Sequence, residues 1–479
     1  MAELLEPDIC VIGAGAGGLS IAAGAAAFGV PVVLIERGRM GGDCLNYGCV
    51  PSKSLIAAAR HAMTFAQASD FGVTGGPAQV DFAKVRDHVR GVIAAIAPND
   101  SKARFTGLGV RVIEGTARFT DAATVAVGDA FAIKARRFVI ATGSSPAIPA
   151  IPGLAETPHL TNETVFDLAA CPRHLIVIGA GPVGLELAQA FRALGAAVTV
   201  IEAATPLAED DPESVAVVLD RLAREGIAIR TGAAIRRISQ VDDQMDRQVQ
   251  VVVGGASGEE TIAGSHLLVA AGRTSNTADL GLDRAGISFG PRGIVVDKRL
   301  RTTNRRVYAI GDAAGGVRFT HAANYHAGLV LRQMLFRLPV RANSDLIPRV
   351  TFTQPELAHV GLTEAEARRR AHRFRVLRWP YHDNDRAVAE RATEGHIKVI
   401  TAPGGRILGA TIVGRDAGEL IATWSLAVGQ RLNIRAIAGT VMPYPTFGEI
   451  GKRAAIMHFA AGLTRPAVRR IIAWLRRFG

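Results

Sequence analysis

Asp8-Ile9-Cys10-Val11-Ile12-Gly13-Ala14-Gly15-Ala16-Gly17-Gly18 decides the architecture of this chain. Ile9 to Ile12 is a short apolar run stopped by glycine, which reads as a buried parallel strand. Gly13 to Gly18 has the spacing G-x-G-x-x-G. A helical pattern follows to Phe28, and Val32-Val33-Leu34-Ile35 reads as the next strand, closing on Glu36. The glycine spacing alone is weak. A strand before it, a helix after it and an acid ending the next strand make it a dinucleotide signature. Gly13 permits the tight turn, Gly15 lets backbone N–H groups approach a pyrophosphate, and Gly18 lets helix and strand pack closely. The free amides and the positive dipole end of the helix favour the anion. Glu36 is expected to accept hydrogen bonds from an adenosine ribose.

The unit occurs twice. His174-Leu175-Ile176-Val177-Ile178 reads as a strand, Gly179-Ala180-Gly181-Pro182-Val183-Gly184 as the turn, and Leu185 to Leu194 as the helix. Val198 to Ile201 is the following strand, ending at Glu202. The first glycine and the acid are 23 residues apart in both copies. Two such sites in one chain imply two nucleotides that react with each other, a flavin and a nicotinamide. A carboxylate at Glu202 hydrogen-bonds a free 2′-hydroxyl and repels a 2′-phosphate. Ala203, Ala204 and Thr205 supply no arginine, so NADH is expected in preference to NADPH.

Composition agrees with a large folded enzyme. The 479 residues suggest about three domains, and 48% hydrophobic against 20% charged residues exclude a disordered chain. Aromatics at 5% argue against a stacking platform for single-stranded nucleic acid. Four cysteines exclude a disulfide-stapled secreted scaffold. The net charge of +12 is largely local. Arg368, Arg369, Arg370, Arg373, Arg375 and Arg378 form one cluster, read as a solvated face. Arg465, Arg469, Arg470, Arg476 and Arg477 form another. Neither accompanies a nucleic-acid-binding signature. No signal-peptide pattern precedes the first strand, and the run Gly17 to Val30 is too short for a membrane span. A cytoplasmic protein is expected.

Further strands are read at Phe138 to Ala141, before Thr142 and Gly143, at Leu267 to Ala270, before Ala271 and Gly272, and at Val307 to Ile310, before Gly311 and Asp312. Pro348 opens a stretch of different texture. Strand-like runs lie around Thr351 and Ile397, and a helical pattern spans Ala417 to Gly429, as in a separate α+β domain.

Gly41-Gly42-Asp43-Cys44-Leu45-Asn46-Tyr47-Gly48-Cys49-Val50-Pro51-Ser52-Lys53 places two cysteines with four residues between them, shortly after Glu36. In one regular helix their Cα atoms would be about 8–9 Å apart, beyond the ~4.4–6.8 Å of a disulfide. A bonded pair therefore requires a break between them, and Gly48 supplies permissive backbone. Two unpaired buried thiols are the alternative. A metal site lacks further ligands: Cys10, inside the first strand, and Cys171 read as packing residues.

With these motifs the sequence resembles the FAD-dependent pyridine nucleotide–disulfide oxidoreductases, the class of dihydrolipoamide dehydrogenase, glutathione reductase and mercuric reductase, from Asp8 to about Gly462. The G-G-x-C-x-N-x-G-C-x-P-S-K run carries the resemblance, with Ala141-Thr142-Gly143, Ala271-Gly272-Arg273 with Asn276, and Ile310-Gly311-Asp312. The resemblance implies an α/β fold of two Rossmann-like domains, for FAD and NAD, plus a C-terminal α+β dimerisation domain. Residues 1–150 and 275–346 would form the FAD-binding part, 151–274 the NAD-binding domain and 347–462 the dimerisation domain. It implies a redox-active disulfide, with Cys49 against the flavin and Cys44 the exposed interchange thiol. Lys53 would pair with Glu186 beside the flavin N5. FAD would be held by Gly13, Gly15, Gly18, Glu36, Gly42, Lys53, Ala117, Thr142, Gly143, Arg273 and Asp312. NAD would be held by Gly179, Gly181, Gly184, Glu186, Glu202 and Gly272. Electrons would pass from NADH through FAD and the cysteines to a small acceptor, in a homodimer.

The main departure is Met442-Pro443-Tyr444-Pro445-Thr446-Phe447-Gly448-Glu449. Where dihydrolipoamide and glutathione reductases carry an acid/base histidine, with a glutamate five residues on, this chain has Tyr444 with Glu449. A phenol of pKa ~10 is a poor base at neutral pH beside an imidazole of ~6.5. Tyrosine here is similar to mercuric reductase, which also carries a late cysteine pair, whereas no cysteine follows Cys171. His458 and the Tyr381-His382-Asp383 segment offer other imidazoles. In the tail, 463–479, Val468, Ile471, Ile472, Leu475 and Phe478 recur at helical spacing with arginines on other faces. This basic amphipathic helix is compatible with peripheral contact to an anionic membrane surface or with docking on its own dimer.

Overall fold

Ile9–Ile12 forms a strand with all four residues buried, as an apolar run covered on both faces requires. It lies at the centre of a five-stranded parallel sheet. The order is Val307–Ala309, Arg137–Ile140, Ile9–Ile12, Val32–Glu36, Arg111–Glu114. The helix Ala16–Ala26 leaves the glycine turn. The second copy builds a four-stranded parallel sheet in the order Ala228–Thr231, Ala197–Glu202, His174–Ile178, His266–Val269. Its helix is Pro182–Ala193. The doubly wound α/β reading is thus borne out in both halves, and the strands read at Phe138, Leu267 and Val307 each fall inside a parallel sheet.

The computed structural model describes residues 2–74, 79–243, 246–255, 258–370, 373–463 and 466–478. The chain divides into two compact units, Met1–Ala203 with Ala228–Ser344, and Ala204–Ile227 with Asp345–Gly479. The first also holds sheets not read from the sequence, among them the four-stranded layer of Glu3–Leu5, Phe131–Lys134, Thr124–Val127 and Ala117–Phe119 and the antiparallel strands Ala234–Asp243, Asp246–Gly255 and Gly258–Gly264. A short antiparallel pair, Ser144–Pro146 with Arg273–Ser275, ties the two dinucleotide halves together.

The second unit is built on a five-stranded antiparallel sheet: Arg349–Thr351, Glu356–Gly361, Ile407–Gly414, His396–Thr401, Arg375–Pro380. The helix Ala417–Gly429 supplies Ile421, Trp424 and Ala427 to its core. The α+β expectation holds, with strands at Thr351 and Ile397 and the helix at the expected bounds. The unit also takes up the helix Pro212–Arg224, which belongs by sequence to the stretch read as 151–274. Asp211 caps that helix, accepting from the N–H groups of Glu213 and Ser214, and is itself buried. The buried Lys398 ammonium donates to both of its carboxylate oxygens at 2.7 and 2.8 Å and lies 2.7 Å from Glu213. Arg368, Arg370 and Arg378 in the first arginine cluster are paired with Glu364, Asp345 and Glu213 at the surface.

Candidate active site

The two glycine turns are closed by the same contacts. A Cβ on Gly13 would lie 2.5 Å from the Ala141 oxygen, and one on Gly179 2.5 Å from that of Ala270. A Cβ on Gly18 would lie 1.8 Å from the Gly13 oxygen, and one on Gly184 2.0 Å from that of Gly179. Both turns therefore admit only glycine at these places. Gly13 and Gly179 both have φ +105°. The helices that follow start at Gly15 and Gly181 with no side-chain cap and no acid in the first turn. Such an end leaves its N–H groups to an anion. The carboxylates also correspond. Glu36 accepts the Ala14 N–H at 2.6 Å and Glu202 the Ala180 N–H at 2.8 Å. Glu36 in addition accepts from Gly38 N–H at 2.7 Å. Each carboxylate is thus pinned at the mouth of its turn, the position a ribose requires. On these grounds the residues present fit two dinucleotides.

The turns differ in what stands over them. The Gly41 N–H donates to the Ala14 oxygen at 2.9 Å. A Cβ on Gly42 would come within 2.7 Å of the Gly15 Cα. The first turn is thus roofed by the Gly41–Gly42 segment. Over the second, no described atom lies within 4 Å of a Cβ built on Gly181.

From this roof the chain runs directly into the cysteine pair. A short helix, Gly42–Asn46, stops at Tyr47, and a new one, Cys49–Gln67, begins after Gly48. The break between the cysteines is the one that a disulfide at their spacing would need. Gly48 closes it: a Cβ there would lie 2.8 Å from Asp43 Oδ2 and 3.3 Å from the Cys44 Cα. Both cysteines are free thiols in this structure. Cys49 is exposed and Cys44 half-buried.

The charges of the pair are unequal. A hydrogen bond from Cys44 pulls the Cys49 thiol down to about 6 against the opposing effect of burial, with further help from the Thr320 hydroxyl and the Lys53 ammonium. Thr320 Oγ1 lies 3.6 Å from Cys49 Sγ. Cys44 is pushed far above the usual thiol range, because it donates to Cys49 and because burial and a second negative charge oppose its ionisation. Lys53 Nζ donates to Glu186 Oε2 at 2.7 Å, and Glu186 is buried. The pairing expected of these two residues is present. Cys10 is fully buried inside its strand and Cys171 Sγ donates to the Leu194 oxygen, so both pack as read.

Arg273 gathers the remaining residues. Its guanidinium donates to Ser144 Oγ at 2.7 Å and to the Ser144 carbonyl at 2.8 Å, and it lies 3.1 Å from Asp43 Oδ1 and 3.9 Å from Asp312 Oδ2. Ser144 Oγ donates to Asp312, and Asn162 Nδ2 to Asp43 Oδ1 and the Tyr47 carbonyl. The Cys44 turn and Asp312 thus belong to one polar network. Thr142 Oγ1 donates to the Asn276 carbonyl at 2.7 Å, and Asn276 Nδ2 returns a bond to the Thr142 carbonyl at 3.0 Å. Gly143 (φ +68°) accepts from Asn276 N–H, and Gly272 (φ +118°) from Ala147 N–H. Ala117 is buried just past Gly115, whose N–H donates to the Glu36 carbonyl. Thr320, Asn162 and Ser144 carry no sequence signal of their own. The hydroxyls and the amide acquire their roles only from the folded geometry.

In the second unit, Tyr444 is 69% exposed, and its hydroxyl donates to Asp385 Oδ2 at 2.7 Å. That bond and the Asp385 charge raise the phenol above its usual range. Glu449 begins the helix Glu449–Leu463. His382 is exposed next to Asp383, and burial holds His458 below the usual imidazole range. Among the described residues no group of three His, Cys, Asp or Glu side chains is placed to hold a metal ion.

Two dinucleotide turns around an unequal thiol pair define a flavin- and nicotinamide-dependent thiol–disulfide oxidoreductase. The pattern of pyridine nucleotide-disulphide oxidoreductases matches residues 7–327, and that of their dimerisation domain residues 347–455. The chain is 36% identical over 460 residues to the mercuric reductase of Streptomyces lividans, covering 94% of this chain and 95% of that protein. It is 33% identical to the dihydrolipoyl dehydrogenase of Geobacillus stearothermophilus, covering 94% and 96%. The HOCl-induced flavoprotein disulfide reductase RclA from Escherichia coli has a similar structure, with 28% identity, a TM-score of 0.83 and coverage of 94% and 99%. The protein belongs to the pyridine nucleotide–disulphide oxidoreductase family. It is an FAD-dependent enzyme working with NAD(P)H, and its dimerisation domain supports a homodimer. No helix among the described residues is long and apolar enough to cross a membrane.

Proposed function

We propose that the protein uses NADH to reduce a small thiol-reactive acceptor through Cys49 and Cys44. The observation that carries this reading is the cysteine pair set on two successive helices, with Thr320 Oγ1 3.6 Å from Cys49 Sγ and with Lys53, paired with Glu186, following Cys49 on the same helix, an environment that lowers the Cys49 thiol and raises that of Cys44. FAD, when bound, supplies the two-electron carrier between the nicotinamide and the cysteines. The first turn (Gly13, Gly15, Gly18), Glu36, Gly42, Ala117, Thr142, Gly143, Arg273 and Asp312 would hold it. Gly179, Gly181, Gly184, Glu202 and Gly272 would hold the coenzyme. Glu186 fixes the Lys53 ammonium, whose charge favours the Cys49 thiolate. With a disulfide as acceptor, each turnover consumes one NADH and one solvent proton and releases NAD and two thiols. A thiol pair kept reduced in this way suits the cytoplasm.

Two features support NADH over NADPH. The Glu202 carboxylate stands at the second turn, where it repels a 2′-phosphate. On the neighbouring strand, Arg230 is engaged in a double hydrogen bond with Glu260 at 3.0 and 3.1 Å.

Tyr444 favours a second reading of the acceptor, a thiophilic metal ion. In a homodimer in which the Tyr444 strip of one subunit completes the cysteine site of the other, disulfide exchange at Cys44 needs a base to take its proton, and a phenol raised by Asp385 does not serve at neutral pH. A soft metal ion ligates the Cys49 thiolate directly and displaces the Cys44 proton by its own charge. Steady-state NADH oxidation with a panel of disulfides, quinones and Hg(II) decides between the readings. Turnover with disulfides at pH 7 supports the first, and turnover with Hg(II) alone the second. NADH oxidation by none of them refutes both.

A further inference from the structure

The helix Pro466–Leu475 begins after residue 455, where the dimerisation pattern ends. None of its residues is buried, and Ile471, Ile472, Trp474, Leu475 and the following Phe478 are all exposed. At about 100° per residue, these apolar side chains and Val468 fill one continuous arc of roughly 160°. Arg469, Arg470, Arg476 and Arg477 occupy the opposite arc. Trp474 stands at the border between the arcs and packs edge-on against Phe478, with ring centroids 4.9 Å apart. No acid follows Glu449 in the sequence, while Lys452, Arg453 and the tail arginines do. Arg465 lies outside the described residues.

We propose that this helix docks the enzyme on an anionic lipid surface, lying in the plane of the interface. A segment that bound a second copy of the chain through its apolar arc would have no need of an opposite arc whose charged residues are all arginine. A bilayer rich in acidic headgroups matches both arcs: the acyl boundary takes Ile471, Ile472 and Leu475, and the headgroups take the arginines. Trp474, at the border, falls at headgroup depth, where its ring is favoured.

The test uses the full chain with FAD bound, sedimented with vesicles of phosphatidylcholine or of equal parts phosphatidylcholine and phosphatidylglycerol. Binding is expected to the mixed vesicles only, and to be released by salt. Ile472→Glu with Leu475→Glu should weaken it at least about tenfold. Replacing Arg469, Arg470, Arg476 and Arg477 by Gln, which leaves the apolar arc intact, should do the same. Trp474 fluorescence should shift to the blue on binding, and Trp474→Phe should lose that shift while still sedimenting. Trp424 is buried and should not respond. Absence of binding to the mixed vesicles, or equal binding to both kinds, overturns the proposal. So does a Trp474 emission already blue-shifted without lipid, together with a glutamate variant that splits the dimer, since the apolar arc would then belong to a second copy.

Discussion

Removing the proton donor of the thiol pair should move the charge of its partner by a calculable amount. Cys49 titrates near 6 rather than at the ordinary 9.0, and the largest single cause is the hydrogen bond from Cys44. A hydrogen bond to a charged group is worth about 1.5–3 kcal/mol, which at 1.36 kcal/mol per unit is about one to two pKa units. Cys44→Ala should therefore raise Cys49 to between about 7 and 8. Thr320 and Lys53 still favour the thiolate, so the value should stay below 9.0. Cys44→Ser keeps a hydroxyl donor and should fall between wild type and alanine. The assay is a pH titration of the long-wavelength absorbance that a thiolate gives against an oxidised flavin. It is read in each variant, and in wild type after one equivalent of NADH. The band should fade on acidification, at the highest pH in Cys44→Ala. A midpoint unmoved by Cys44→Ala refutes the reasoning, and a band abolished by it would assign the thiolate to Cys44. Cys10 and Cys171, both raised by burial, do not contribute.

The coenzyme reading predicts a higher kcat/KM with NADH than with NADPH. Glu202→Ala should lose about 1–2 kcal/mol of that discrimination, and equal values in wild type contradict it. Reduced lipoamide with NAD should turn over weakly at pH 7. Tyr444→His should raise that rate at least tenfold, within the ~10²–10⁴ of general acid–base catalysis, and bring in a pH dependence near neutrality. A wild type already turning over at hundreds per second, a rate ordinary for enzymes, would show that another group is the base. Lys398→Met strands the buried Asp211 carboxylate without its ammonium and should cost about 3–5 kcal/mol in urea unfolding at unchanged slope. A loss under about 1 kcal/mol, the scale of a surface pair, would show that water reaches Asp211.

The parts legible in the sequence are those where chemistry is local. Gly13 and Gly18 stand out because a Cβ at either would strike backbone, so spacing alone carries the turn. Cys44 and Cys49 stand out because a disulfide at their separation is incompatible with one helix across them, and the structure breaks the helix at Tyr47 and Gly48. What is missed depends on partners distant in the chain. Ser144 reaches Asp312 across 168 residues, and Thr320 reaches Cys49 across 271. A serine or threonine in a loop announces nothing of this. Asp385, which sets the proton on Tyr444, is equally silent, and Asp211 meets Lys398 across 187 residues. For that reason the helix Pro212–Arg224 reads as part of the stretch 151–274 yet groups with the second unit.

The two glycine turns are alike in their closing contacts, so the turns themselves do not determine how long a guest stays. The difference lies in the roof: the Gly41–Gly42 segment closes over Gly15, while the approach to Gly181 is open. On the proposed assignment of FAD to the first turn and the coenzyme to the second, the flavin would leave only if the Gly41–Gly42 segment moved, while the coenzyme would meet no such obstacle at Gly181. A catalyst that keeps one nucleotide and trades the other at every cycle needs that asymmetry, and a single pair of adjacent glycines would supply it. The same segment leads straight into Cys44, so the cover of the first turn and the thiol pair are one continuous piece of chain.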